Sequence, residues 1–216
     1  MIDSIVLDNL SMKAFDCTLL SGVQSDVFNS KVVFQKGKSY LIEAGSGRGK
    51  SSLVSFLCGL RDDYNGSISF ACEDVISSHP DYLELRRSSI AIMFQDCRLF
   101  TELTAVENVM LKSRLTDFWS EAEIRTMLAK LGLKDEIDRP CATLSLGQQQ
   151  RVAFVRALAQ PCDFILLDEP ISHLDEENAS LVSTVLRERQ LKENFGVIVT
   201  SVGYRLPYCY DKVLKM

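Results

Sequence analysis

The sequence predicts an α/β fold: a core with a mixed sheet, an N-terminal antiparallel β subdomain and a helical insertion. Three observations carry that prediction. A β-type run, Lys38-Ser39-Tyr40-Leu41-Ile42, meets a glycine-rich turn and then a helix opening on Gly49-Lys50-Ser51. Nearly continuous apolar runs stand at Ser89–Phe94 and Phe164–Leu167, the second fitting a strand buried in a parallel sheet. Short β-type segments at 2–7, 27–34 and 67–70 come early, whereas 97–146 reads as helical, so an antiparallel sheet is expected against the parallel core.

Bulk properties limit the functions open to such a chain. Its 216 residues, 46% hydrophobic and 25% charged, suffice for one large domain with a sizeable insertion. The net charge of −5 argues against a nucleic-acid partner, which needs a basic footprint. No apolar run approaches the ~18 residues that cross a bilayer. Met1-Ile2-Asp3-Ser4 lacks the basic patch and apolar stretch of a secretion signal. Seven cysteines (17, 58, 72, 97, 141, 162, 209) form no Cys-x-x-Cys pair and read as reduced thiols of an intracellular protein.

Gly37 turns the chain into the strand that leads to Ala44-Gly45-Ser46-Gly47-Arg48-Gly49-Lys50-Ser51-Ser52. Gly45, Gly47 and Gly49 let backbone N–H groups crowd around an anion, because no Cβ blocks the approach. The helix expected over 50–60, with Leu53, Val54, Phe56, Leu57 and Leu60 at helical spacing, adds the positive end of its dipole. Lys50 is placed to meet the β- and γ-phosphates of a nucleotide, and the Ser51 hydroxyl to ligate Mg²⁺. Ala44 stands where the strict pattern has glycine. Asp62-Asp63-Tyr64-Asn65-Gly66 is a turn, and His79, before Pro80, reads as a solvated loop residue.

The strand 89–94 ends at Gln95-Asp96, and the helical insertion follows. Within it Ser120 and Glu123 make a capping box, Ile124, Met127, Leu128 and Leu131 an apolar stripe, and Gly132 a stop. Leu144-Ser145-Leu146-Gly147-Gln148-Gln149-Gln150-Arg151 opens the next helix, 147–159, where Ser145 and Gln148 form another capping box. Then Asp163–Leu167 runs into Asp168-Glu169-Pro170, a strand whose carboxyl end faces a ligand. Alternation along a strand points Asp168 and Glu169 opposite ways, one toward a Mg²⁺ shell and the other toward a water. Glu176 and Glu177 open a further helix as dipole complements, and Gly196–Thr200 is the last strand.

Taken in this order, the pieces resemble an ATP-binding cassette (ABC) ATPase, the nucleotide-binding subunit of ABC transporters, over about residues 3–215. The diagnostic element is Leu-Ser-Leu-Gly-Gln-Gln-Gln-Arg (144–151) ahead of Asp168-Glu169. Phe94–Phe100 followed by Leu103–Val109 looks most like the short cassettes of the lipoprotein-release, macrolide-efflux and cell-division type. The resemblance implies a P-loop NTPase core and one nucleotide-binding domain over 1–216, with the helical subdomain at about 97–146. It implies ATP and Mg²⁺, with Glu169, Gln95 and Lys50 catalytic and Ser51, Gln95 and Asp168 around the metal. Residues 45–52 hold the phosphates; Ser145, Gly147 and Gln148 face the ATP of a second cassette, a homo- or heterodimer closed by nucleotide. Ser172-His173-Leu174-Asp175 matches the loop after the catalytic glutamate, with His173 where alanine is usual.

Two further departures bear on activity. Leu146 replaces the signature's first glycine, and Ser201 stands where the family has the histidine that contacts the γ-phosphate. The resemblance lets Ser201 reach that phosphate only through water, so strong binding with slow turnover is expected. Phe15 is the aromatic upstream of Phe28 available to stack on adenine. The first functional expectation is an energy-coupling ATPase held by membrane-spanning permease subunits on the cytoplasmic face of the inner (plasma) membrane, docking through 97–146. A second is an ATP-gated regulatory clamp with little hydrolysis. A third, a soluble cassette of repair or translation, lacks its tandem cassette or coiled-coil insertion here.

Overall fold

The computed structural model describes residues 1–13, 25–72, 75–77 and 80–216; Phe15, Cys17 and His79 lie outside the described residues. Strands of the two orientations separate into two sheets. The antiparallel sheet has the order β2-β1-β4-β5, from β1 (Ser4–Met12), β2 (Lys31–Gln35), β4 (Tyr64–Cys72) and β5 (Val75–Ser77). The core sheet is parallel throughout, in the order β6-β7-β8-β3-β9. It consists of β3 (Ser39–Glu43), β6 (Ile90–Met93), β7 (Phe164–Asp168), β8 (Gly196–Ser201) and β9 (Lys212–Lys215).

The period-two alternation of the parallel strands divides the interior into two cores. Phe164 and Leu166 of β7 pack with α1 (Lys50–Leu57) and the antiparallel sheet. Ile165 and Leu167 face the opposite core, built from α3 (Ala105–Ser113), α4 (Glu121–Lys130), α5 (Leu146–Leu158) and α6 (Glu176–Glu193). All of β7 is buried, as its unbroken apolar run predicts for a strand covered on both faces. Such packing makes single truncations costly; Leu166→Ala would cost about 2–5 kcal/mol.

Several boundaries differ from the sequence reading: β4 already begins at Tyr64, inside the turn expected at 62–66, and α1 ends at Leu57 rather than at 60. Val27 and Phe28 are buried but not in a strand: the Ser25 hydroxyl accepts from both their N–H groups, at 3.1 and 2.9 Å, and makes a turn before β2. The helical stretch begins at Ala105, not near 97, because Cys97 and Arg98 have φ of 57° and 48°. The last strand, β9, was not expected: of Lys212-Val213-Leu214-Lys215 only Leu214 is buried, which is too weak a period to read. A short helix, α2 (Tyr82–Glu84), running into a wide turn at Leu85–Ser89 was also missed. The capping box at Ser120 and Glu123 forms as expected, and Thr104 with Glu107 makes another. Among the described residues no helix is long and apolar enough to cross a membrane.

This topology decides where chemistry can occur. The carboxyl ends of β3, β6, β7 and β8 finish side by side, and the loops carrying Lys50, Gln95, Glu169 and Ser201 leave from those ends.

Candidate active site

Beyond Glu43 the chain turns through Ala44–Gly49 into α1. Gly49 has φ of 93°, and a Cβ there would lie 2.5 Å from the Met12 methyl, so only glycine fits. Gly49 is also the N-cap, without a side chain to cap with, and no acid stands in the first turn of α1. The helix therefore offers its first N–H groups and positive dipole end to an anion. Lys50 is 4% exposed; its Nζ donates to the Ala44 and Gly45 carbonyls at 3.0 Å each and stands 3.5 Å from Glu169 Oε1.

A cleft of about 490 Å³ opens above this lysine. It is lined by Ser46, Gly47, Gly49, Lys50, Ser51 and Ser52 of the phosphate loop and α1 together with Gln95, Glu169, Ser172, Val202 and Tyr204 from the loops after β6, β7 and β8. Two predicted loop residues are not on its walls: Gly45 accepts from Lys50 and from the Arg48 N–H, and Arg48 is half-buried. Gln95 Nε2 donates to Glu169 Oε2 at 3.3 Å, so Lys50, Gln95 and Glu169 converge on one carboxylate.

Asp168 lies behind the wall, 1% exposed, where the Thr200 hydroxyl donates to its Oδ1 at 2.5 Å. Glu169 N–H donates back to the Thr200 hydroxyl at 3.2 Å. Alternation does not set the direction of Glu169, contrary to expectation, because β7 has ended and Glu169 has φ of 49°. The left-handed turn, not the pleat, aims its carboxylate at Lys50. Such a conformation costs a non-glycine residue about 1–2 kcal/mol, and a buried side chain holds it in place. Gln150 Nε2 donates to the Glu169 carbonyl and the Ser172 hydroxyl at 3.1 and 3.0 Å, while its Oε1 accepts from His173 N–H at 3.1 Å. Neither Gln150 nor Thr200 was picked out from sequence. For Gln150 a signal existed: a glutamine four residues before buried Phe154, on an apolar helix face.

Ser51, Gln95 and Asp168 would hold a magnesium ion. Their hydroxyl, amide and carboxylate oxygens are hard donors with no thiolate or imidazole among them, which suits Mg²⁺. Among the described residues no three His, Cys, Asp or Glu side chains cluster as a metal site. Cysteine chemistry has no place here: burial pushes the Cys58 and Cys141 thiols up to about 11 and Cys162 to about 12.

Ser145, Gly147 and Gln148 are not on the cleft walls. Ser145 caps α5, accepting from Gln148 N–H at 3.2 Å, while Gln148 Oε1 accepts from Ser145 N–H at 2.9 Å. Gly147 backs onto the loop after Glu169, where a Cβ would lie 2.7 Å from the His173 carbonyl. Leu146 projects 60% exposed beside them. Nor does Ser201 line the cleft. It is 2% exposed, its hydroxyl donates to the Tyr204 carbonyl at 2.6 Å and accepts from Gly203 N–H at 3.0 Å.

Comparisons with known proteins identify the family. The family model for ABC transporters matches residues 27–172. The phosphonates import ATP-binding protein PhnC 1 of Pseudomonas aeruginosa is 35% identical over 201 residues, covering 85% of this chain and 72% of that protein. The macrolide export ATP-binding/permease protein MacB of Salmonella typhimurium is 36% identical over 168 residues, 76% of this chain and 26% of MacB. A dimeric structure of MJ0796, a bacterial ABC transporter cassette, superposes with a TM-score of 0.74 at 25% identity, covering 91% of this chain and 87% of that one.

Proposed function

Because this chain belongs to the ABC transporter family of ATP-binding cassettes, we propose that it binds and hydrolyses ATP to drive separate membrane-spanning permease subunits. The observation that carries this reading is the meeting of Lys50, Gln95 and Glu169 in one cleft beside the phosphate loop. Residues 45–52 bind the phosphates, and Lys50 exchanges the Ala44 and Gly45 carbonyls for phosphate oxygens of higher negative charge. Glu169 is the group that takes a proton from, or polarises, the attacking water; Gln95 orients it. Ser51, Gln95 and Asp168 would hold a magnesium ion, which would supply charge neutralisation at the phosphates. One nucleotide-binding unit over 1–216, with its helical insertion at about 97–146, is part of this reading.

Ser145, Gly147 and Gln148 lie apart from their own chain's cleft, which supports the pairing of two cassettes head to tail, alike or different, each completing the other's ATP site. Slow turnover is also part of the proposal, since no imidazole stands at 201 and the Ser201 hydroxyl is committed within its own loop. That same feature favours the regulatory clamp as the second reading; Glu169, facing Lys50, favours hydrolysis.

A groove of about 380 Å³ between β6 and α3 supports docking of a permease segment. Phe94, Phe100, Leu111 and Leu115 give it apolar walls, and the cations Arg86, Arg98, Lys112 and Arg156 stand among them. The loop at 94–98 joins the two sites: Gln95 lines the cleft, whereas Phe94 and Arg98 line the groove. Arg156 holds this loop by donating to the Cys97 and Arg98 carbonyls at 2.5 and 2.7 Å. Such docking would place the chain on the cytoplasmic face of the inner (plasma) membrane, and cargo selection would fall to the permease.

Calorimetry tests the base of this reading. Lys50→Ala is expected to weaken Mg-ATP binding about tenfold or more, through loss of the phosphate-facing cation. Unchanged affinity would remove the phosphate-loop assignment.

A further inference from the structure

The loop after β8 poses a question of chemistry. Five residues make up that strand end and the loop leaving it: Ser201, Val202, Gly203, Tyr204 and Arg205. Ser201 is buried, and its single donor goes to the Tyr204 carbonyl. Arg205 is committed too, donating to both carboxylate oxygens of Glu43 at 2.6 and 2.9 Å. These two anchors pin the loop on either side of residues 202–204. Val202 and Tyr204 then stand on the wall of the cleft that the phosphate loop, Gln95 and Glu169 also line.

Only one of these two side chains carries a donor. The Tyr204 side chain is 82% exposed, and its phenol makes no hydrogen bond to any described residue. Lys50 stands 3.5 Å from Glu169 in the same cleft that Tyr204 lines. A triphosphate seated on the loop at 45–52, its terminal phosphate between Lys50 and Glu169, would therefore bring that phosphate to the part of the cleft that Tyr204 shares.

We propose that Tyr204, not Ser201, is the residue of this loop that contacts the terminal phosphate, its phenol O–H donating to a γ-phosphate oxygen. This rests on the reading of 45–52 as a nucleotide site and deepens it. The buried Ser201 turn is the device that presents the tyrosine. Serine at this place is thus not a degraded contact; it moves the contact three residues along the chain. A phenol is a neutral donor, so it discriminates triphosphate from diphosphate while opposing less of the charge that builds during transfer than a cation would.

Tyr204→Phe removes one oxygen and keeps the ring. Full-length protein carrying Glu169→Gln, which preserves ATP during titration, is compared with and without Tyr204→Phe by calorimetry against Mg-ATP and Mg-ADP. Tyr204→Phe is expected to weaken Mg-ATP by about three- to tenfold, the worth of one hydrogen bond, and to leave Mg-ADP unchanged. Ser201→Val, which cannot form the turn, should produce the same selective loss by releasing the loop. A Tyr204→Phe protein with the parent's ratio of ATP to ADP affinity would overturn the proposal. A parent that binds neither nucleotide would instead overturn the nucleotide site itself, and the proposal with it.

Discussion

Gln150 shows how much of this site depends on one side chain that never touches it. Fully buried, it satisfies the Glu169 carbonyl, the Ser172 hydroxyl and the His173 N–H together. Gln150→Leu keeps the volume roughly constant and leaves all three without their partner. Each hydrogen bond lost is worth about 0.5–1.5 kcal/mol, which denaturant unfolding would read. Glu169, released from its left-handed turn, should also lose its aim at Lys50. Turnover is therefore expected to fall by about tenfold or more, as when a preorganised group is lost, while Mg-ATP affinity holds. An unchanged unfolding midpoint with unchanged turnover would make Gln150 a passenger. Thr200 works the same way from β8, joining the Asp168 carboxylate to the Glu169 N–H.

At the scale of elements, three helices start with the same device and serve different ends. Thr104 with Glu107, Ser120 with Glu123, and Ser145 with Gln148 are reciprocal capping boxes. Bonds from Thr104, its backbone N–H before its hydroxyl, hold the Glu107 carboxyl below the usual range. The Ser120 hydroxyl and then its N–H do the same for Glu123. Both carboxylates are depressed in the folded state, so this stabilisation is present near neutral pH and is lost as pH falls through the lowered values. Gln148 carries no charge, and the α5 cap is indifferent to that acidification. Ser120→Ala and Ser145→Ala should each cost about 1 kcal/mol in unfolding experiments. Only Ser145→Ala should also weaken ATP-driven pairing, measured by light scattering. Equal, cap-sized effects with pairing intact would leave the start of α5 a structural cap alone.

For the whole molecule, the decisive feature is the separation of the cleft from the exposed start of α5 around Leu146. In the proposed reading, a site divided in this way is completed by a second cassette. Glu169→Gln keeps the hydrogen bond to Gln95 but cannot act as a base. With Mg-ATP it is expected to accumulate as a dimer in size-exclusion chromatography with light scattering. Adding Ser145→Arg should abolish that dimer by crowding the shared phosphate. A monomer at every concentration would exclude self-pairing and direct attention to a different cassette. The phosphonate-import and macrolide-export relatives are 35% and 36% identical to this chain.

The sequence by itself determined the engine. Gly49-Lys50-Ser51 after a β-type run, the capped start of α5, and an apolar strand ending in Asp168-Glu169 are local patterns, each tied to one strand, turn or helix. Family membership and the α/β class follow from their order. Only the tertiary structure decided which groups meet. The parallel register that sets β7 between β6 and β8 brings Gln95 to Glu169 and Thr200 to Asp168. No spacing along the chain encodes those distances. The left-handed turn at Glu169 overruled the alternation expected of a strand, because Gln150, on another element, holds it. Ser201 gave the same lesson at the far wall. Its identity predicts a short, water-bridged contact, yet burial turned its hydroxyl inward and left Tyr204 facing the cleft. A side chain's chemistry is written in the sequence, but its direction is a property of what packs around it.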